Sequence, residues 1–246
     1  MKNLSKIKLL NIFSFALALY INYLSVAANL GGKTIRELSD KYNNLFTPSS
    51  QTFSIWGLVY TLIIVYLVIQ FIKQYSHLPI TKNLLFSVSC LFNAGWIILW
   101  QFEFIAGSVL AMLGLLITLA IINMQLSKNG HWLFKLIFGT YLGWICIATV
   151  ANFTALLVAK GVLPNLETQV MITIGVLAIT TALTGWLMHK LDNSFLFISV
   201  CWAYYGVYNK RIEDHPSIAY SAIVALVIVI VLALLKAPSI KKQVNS

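Results

Sequence analysis

The chain alternates long apolar runs with short polar punctuation. The runs are too long for strands, and most are apolar on every face rather than along one stripe. They cover residues 9–28, 53–71, 84–102, 105–126, 133–158, 170–188, 195–208 and 218–235. A helix needs about 20 mostly apolar residues to cross a bilayer. Helices suit lipid because they satisfy their own backbone hydrogen bonds. The pattern predicts an all-α integral membrane protein, a polytopic bundle of about eight transmembrane helices. The run 195–208 is short for a full crossing. The first run has a basic start (Lys2, Lys6, Lys8) and small residues near its end, as a signal peptide does. A secretory apolar core is only about 7–15 residues long, so the run reads as a retained span.

Composition agrees. Of 246 residues, 59% are hydrophobic and 10% charged, against about 25% charged in a soluble domain. The net charge of +10 would suggest nucleic acid in a soluble protein. Here the basic residues sit at the ends of the runs, where they set topology, and no basic stripe is interleaved with exposed aromatics, so nucleic acid is excluded as a partner. With eight spans, eleven of the seventeen basic residues share the side of the termini: Lys2, Lys6, Lys8, Lys73, Lys82, Lys128, Lys135, Lys190, Lys236, Lys241 and Lys242. The positive-inside rule then places both termini in the cytoplasm, in a plasma membrane of the bacterial type. Cys90, Cys146 and Cys201 lie in apolar runs with no C-x-x-C spacing and read as small hydrophobes.

One connection stands apart. Residues 29–52 are polar, Gly-containing and long, and loops of that length usually carry function or are disordered. Within it, Thr34 to Asn43 reads as a short helix with Ile35, Leu38 and Tyr42 on one face, lying over the outer mouth of the bundle.

Acids are scarce: Glu37, Asp40, Glu103, Glu167, Asp192, Glu213 and Asp214, none in mid-span. The four histidines fall at loops or helix ends. Ion-coupled carriers place an ionisable residue inside the membrane, and intramembrane hydrolases need paired carboxylates or a nucleophile beside a base. Neither arrangement is visible, nor is metal-ligand spacing or a phosphate-binding glycine loop.

Aromatic and amide side chains remain. Trp132, Trp100 and Trp56 suit the headgroup belt, whereas Trp96 and Trp144 lie deeper. Asn93, Trp96 and Trp100 share one helix face, Trp144, Ala148 and Asn152 another, and Trp56 and Tyr60 a third. Buried amides read equally as glue between helices and as polar points in an aromatic-walled pocket for a flat, mostly apolar ligand. Gly139 and Gly143 form G-x-x-x-G, which serves close packing within a bundle or a homodimer.

These residues carry a resemblance. The stretch from Phe46 through Pro48, Phe53 and Trp56 to Tyr60 resembles the start of the second helix in the TspO/MBR family of tryptophan-rich sensory proteins, which includes the translocator protein or peripheral benzodiazepine receptor. Asn93-Ala-Gly-Trp96 is similar to that family's N-x-x-W, and Trp144 to Asn152 to its W-x-x-x-A-x-x-x-N. The resemblance covers roughly residues 9–158. It implies a five-helix core, residues 1–160, with a ligand pocket beneath the first loop. Residues 161–246 would add three further helices and a short basic tail, a longer branch of the family. The sequence departs from the family pattern in keeping only Pro48 of its paired prolines and in having no Tyr between Asn152 and Lys160.

By position, the resemblance assigns Trp56, Tyr60, Asn93, Trp96, Trp144 and Asn152 to ligand binding, with Phe46, Pro48 and Phe53 shaping the way in. It implies a receptor-like sensor or transporter for a tetrapyrrole (porphyrin or haem) or sterol-like ligand, with no required cofactor and no enzymatic activity. The alternatives are an intramembrane enzyme related to lysoplasmalogenase or carotenoid cyclase folds, and a small-solute carrier.

Overall fold

The computed structural model describes residues 2–27, 30–72, 84–127 and 130–244. The loop positions Asn29, Lys73, His77, Lys82 and Lys128 lie outside them. All eight apolar runs are helices: α1 (Lys2–Ala27), α3 (Ile55–Ile69), α4 (Leu85–Gln101), α5 (Ile105–Leu126), α6 (Trp132–Ala159), α7 (Leu166–Lys190), α8 (Leu196–Arg211) and α9 (Pro216–Val244). The expected short helix of the first loop is α2 (Ile35–Lys41), and a 3-10 turn, Ser50–Ser54, leads into α3. The described residues contain no strand.

Six of these segments are long and apolar enough to cross a membrane: Ser5–Ala27, Ser50–Ile69, Ile105–Leu126, Trp132–Ala159, Leu166–Lys190 and Pro216–Lys236. Leu85–Gln101 is apolar but shorter. The outer faces carry the residues lipid would solvate, among them Leu9, Phe13, Leu110, Ile117, Met171, Ile179, Val224 and Leu235, all more than half exposed.

The packing order follows from which faces are small or apolar. In the first half α1 lies on α4, α4 on α5 and α5 on α6, with α3 against α6. In the second half α8 joins α6 to α9, and α9 carries α7. The G-x-x-x-G of α6 makes that junction. A Cβ on Gly139 would sit 2.6 Å from Asn193 Nδ2, and one on Gly143 2.6 Å from Ser199 Oγ. The motif is therefore covered by the start of α8 in the same chain. Ser199 Oγ donates to Thr140 O across the junction (2.7 Å), and Asn193 Nδ2 donates to Asn123 Oδ1 (2.8 Å) and Lys135 O (2.9 Å).

The two tight turns share a device. Glu103, between α4 and α5, and Asp192, between α7 and α8, both have φ in the left-handed region (59° and 45°), where a side chain costs about 1–2 kcal/mol. Each carboxylate collects lysines. Asp192 accepts from buried Lys135 and from Lys236 on α9 (3.0 and 3.1 Å), which holds its carboxyl below the ordinary range against the opposing effect of burial. Glu103 does the same at the opposite end of the bundle, over the candidate site.

Although α8 has only 16 residues, about 24 Å of helix, its flanks mark both ends of the bundle. Asn193 bonds to the first turn of α6, and Arg211 bonds to the first loop.

Candidate functional site

The site begins with Trp56, in the first turn of α3. Its ring stacks on Trp96 of α4 (centroids 5.9 Å apart, planes at 24°) and meets Trp144 of α6 edge-on (6.2 Å, 84°). Tyr60, one turn deeper, lies 5.3 Å from it, and Tyr141 approaches at 6.0 Å. Phe53, from the 3-10 turn, meets Trp144 edge-on at 6.1 Å. Aromatic pairs favour such offset and edge arrangements. Three helices thus contribute one indole each to one cluster.

A partly open cavity of about 40 Å3 lies against this cluster. Trp56, Trp96, Trp144 and Asn152 line it, with Pro48 and Phe53 at the loop side. The lining also includes Trp100, Ile147, Ala148, Ala151 and Ala155 from the helices, and Ile35, Ser39 and Tyr42 from α2 and its end. No lining residue carries a carboxyl group. Trp100 is buried against Leu38, Ile105 and Ala155 rather than exposed on the outer face. Its place was already implied by sharing a helix face with Asn93 and Trp96. Of the remaining site residues, Tyr60, Asn93 and Phe46 do not line the cavity. Tyr60 and Asn93 each sit one turn below a member of the Trp56–Trp96 stack, which covers them. Phe46 is 2% exposed within the core.

The amides behave differently. Asn152 Oδ1 accepts from Trp96 Nε1 (3.0 Å) and Ser108 Oγ (3.3 Å), while its Nδ2 donates to Ala148 O (3.0 Å). It is both glue and pocket wall. Both side-chain polar atoms of Asn93 are buried without a well-formed hydrogen bond, the Tyr141 hydroxyl being their polar neighbour, and Tyr60 Oη, Trp100 Nε1 and Trp144 Nε1 are likewise unbonded. Each such group costs about 1–3 kcal/mol relative to a satisfied one.

The roof is α2. A seven-residue helix is marginal alone. A capping box holds its start: Thr34 N donates to Glu37 Oε2 (2.6 Å), and Glu37 N donates to Thr34 Oγ1 (3.2 Å). Leu38 fixes its underside, fully buried among Trp100, Ile105 and Ala155. Its far side hangs on Glu103, whose carboxylate accepts from Lys33 Nζ (2.6 Å), Lys41 Nζ and Tyr42 Oη (2.6 Å). Those hydrogen bonds hold the Glu103 carboxyl down to about 2. Burial and the bond to Glu103 push the Tyr42 hydroxyl up to about 12. Beside them, the Gln101 amide is placed to donate to the carbonyls of Leu30 and Lys33 (2.6 Å each) and to accept from Ile35 N–H (3.3 Å).

Among the described residues, no group of three or more His, Cys, Asp or Glu side chains is placed to hold a metal ion.

The family model described as TSPO-like protein matches residues 8–235. The match runs well beyond residue 158, where the motif resemblance stops, and takes in α7, α8 and most of α9. No curated protein and no solved structure matched. On the family match, the chain belongs to the TSPO-like protein family.

Proposed function

We propose that the chain is a membrane receptor or transporter-like protein that takes a flat, mostly apolar ligand, of the tetrapyrrole or sterol-like class, between Trp56, Trp96 and Trp144. One observation carries this reading: a three-indole cluster walls a partly open cavity and has buried donors and an amide without a formed hydrogen bond at and beneath it. Buried polar groups without partners are rare in folded proteins. A ligand bearing a few polar groups would satisfy them.

The cavity of about 40 Å3 holds a few waters at most. A drug-sized ligand needs about 300–1,000 Å3. Binding therefore requires the roof to lift, and α2 with its Glu103 latch is the part built to move. The tetrapyrrole would be a ligand, not a required cofactor. A binding role is favoured over an enzymatic one because no residue of the pocket wall carries a carboxyl group. The excess of basic residues on the side of the termini supports a topology with both termini in the cytoplasm and the pocket mouth outside, in our reading across a plasma membrane of the bacterial type.

The test is a titration of the purified protein in nanodiscs with protoporphyrin IX, followed by tryptophan fluorescence. Saturable quenching that weakens in Trp144→Phe and in Asn93→Ala is expected. Unsaturable quenching, or quenching unchanged by both substitutions, would reject the tetrapyrrole reading.

A further inference from the structure

The first loop is held at its two halves by different means. Residues 30–42 hang on Glu103 and Gln101 at the α4–α5 turn, and the ion pairs there are partly exposed to solvent. Residues 43–54 rest on α8, far away in sequence, through buried contacts.

Three residues of α8 make that seat. Arg211, 3% exposed, donates from Nε to Leu45 O (3.1 Å) and from Nη2 to Asn44 O (2.6 Å) and Asn43 Oδ1 (3.4 Å), while Nη1 pairs with Asp214 (2.8 Å). One turn and a half earlier, Gly206 O accepts from Ser49 N (3.0 Å). A Cβ there would collide with Thr52 Oγ1 and Pro48 Cβ, so only glycine lets the loop lie this close. Trp202 Nε1 donates to Thr52 O (2.9 Å). The loop completes its own side of the fit: Asn44 Oδ1 accepts from Phe46 N (3.1 Å) and Thr47 N (3.0 Å).

Pro48 and Phe53 lie within this seated stretch and line the cavity. We infer that α8 fixes the sill of the pocket, with Arg211 as a positioning residue for ligand binding that it does not itself touch. A planar guanidinium satisfies three acceptors in a fixed fork, which a lysine ammonium does not reproduce. Of the helices after α6, α8 thereby acts on the pocket through the loop, since no residue beyond Ala155 lines the cavity. The loop opens asymmetrically: the α2 half lifts, and residues 43–54 stay.

The inference rests on the proposed binding role only in its ligand arm, so the test has two arms on the full chain in nanodiscs. The first is hydrogen exchange without ligand. Arg211→Ala should speed exchange at the amides of Phe46, Thr47, Ser49 and Thr52 by at least about tenfold, with residues 33–42 and the α6 core unchanged. Arg211→Lys should fall between. Trp202→Phe and Gly206→Ala, which keep the charge, should act on the same amides. They decide the matter if Arg211→Ala does not fold. Protection of residues 43–54 equal to wild type in these variants overturns the inference. The second arm is titration with protoporphyrin IX, where Arg211→Ala should bind about tenfold more weakly. Equal affinity overturns the inference. A wild-type protein that does not bind this probe rejects the tetrapyrrole reading instead, and the exchange arm then decides alone.

Discussion

Glu103 accepts a 2.6 Å hydrogen bond from the hydroxyl of Tyr42, 61 residues away in sequence. It ties the roof of the pocket to the turn between α4 and α5. A turn needing only a left-handed residue would favour glycine. A glutamate held there indicates that its carboxylate has a task. Glu103→Gln keeps the shape and removes the charge that Lys33 and Lys41 share. Exchange at the amides of residues 33–42 should rise severalfold while residues 43–54 stay protected. Uniform protection across both halves would show that the roof is held by Leu38 packing alone.

The same latch has a pH window. Glu103 has an ordinary value of 4.5 and sits at about 2 in the folded protein. A carboxyl depressed on folding contributes stability that is fully present above the ordinary value and is lost as pH falls through the folded one. Protection of residues 33–42, corrected for intrinsic exchange, should be flat from pH 8 to pH 5. It should decline only between about 4.5 and 2. On the alkaline side, the bond to Glu103 raises Lys41 above 10.5, so the Lys41 arm of the latch persists beyond that value. Loss of protection near pH 6 would assign the roof to another group.

Asn93 and Asn152 predict different outcomes from the same substitution. Asn152 is fully bonded, and Asn152→Leu strands Trp96 Nε1, costing about 1–3 kcal/mol in unfolding measurements, while Ser108 Oγ keeps its bond to Ile105 O. Asn93 makes no well-formed hydrogen bond and has only the Tyr141 hydroxyl as a polar neighbour, so Asn93→Leu should leave the ligand-free protein close to unchanged in stability. It should still weaken protoporphyrin binding. Equal destabilisation by both would mean that Asn93 is structural glue as well.

The α6–α8 junction makes a further prediction. Gly143→Val places side-chain atoms against Leu196 O and Ser199, and overpacking of this kind costs about 1–3 kcal/mol. Thermal unfolding should shift down with no change in oligomeric state. A changed oligomeric state would mean that this face also meets a second copy.

The helices were legible in the sequence because lipid imposes a length and a polarity that few other segments share. The side-sharing of Asn93, Trp96 and Trp100 was also legible, since helical period is local information. Depth was not. Trp56 and Trp96 each stand one turn above Tyr60 and Asn93, and only their stacking across α3 and α4 decides which residues meet the cavity. Arg211 read as an ordinary terminal charge, yet it is buried against Leu45, 166 positions away. No periodicity carries a contact of that separation, and so the role of α8 emerged only from the fold. The family match over residues 8–235 points the same way, treating the later helices as part of one pattern.

The central claim is that ligand enters among Trp56, Trp96 and Trp144. The seven tryptophans allow a direct test by nuclear magnetic resonance of 15N-indole-labelled protein in nanodiscs, titrated with protoporphyrin IX, each signal assigned by Trp→Phe substitution. The indole N–H signals of Trp56, Trp96, Trp144 and the roof neighbour Trp100 should shift together and saturate, while that of lipid-exposed Trp186 stays in place. A saturable shift confined to Trp186 and Trp202, with the cluster unmoved, would contradict the account.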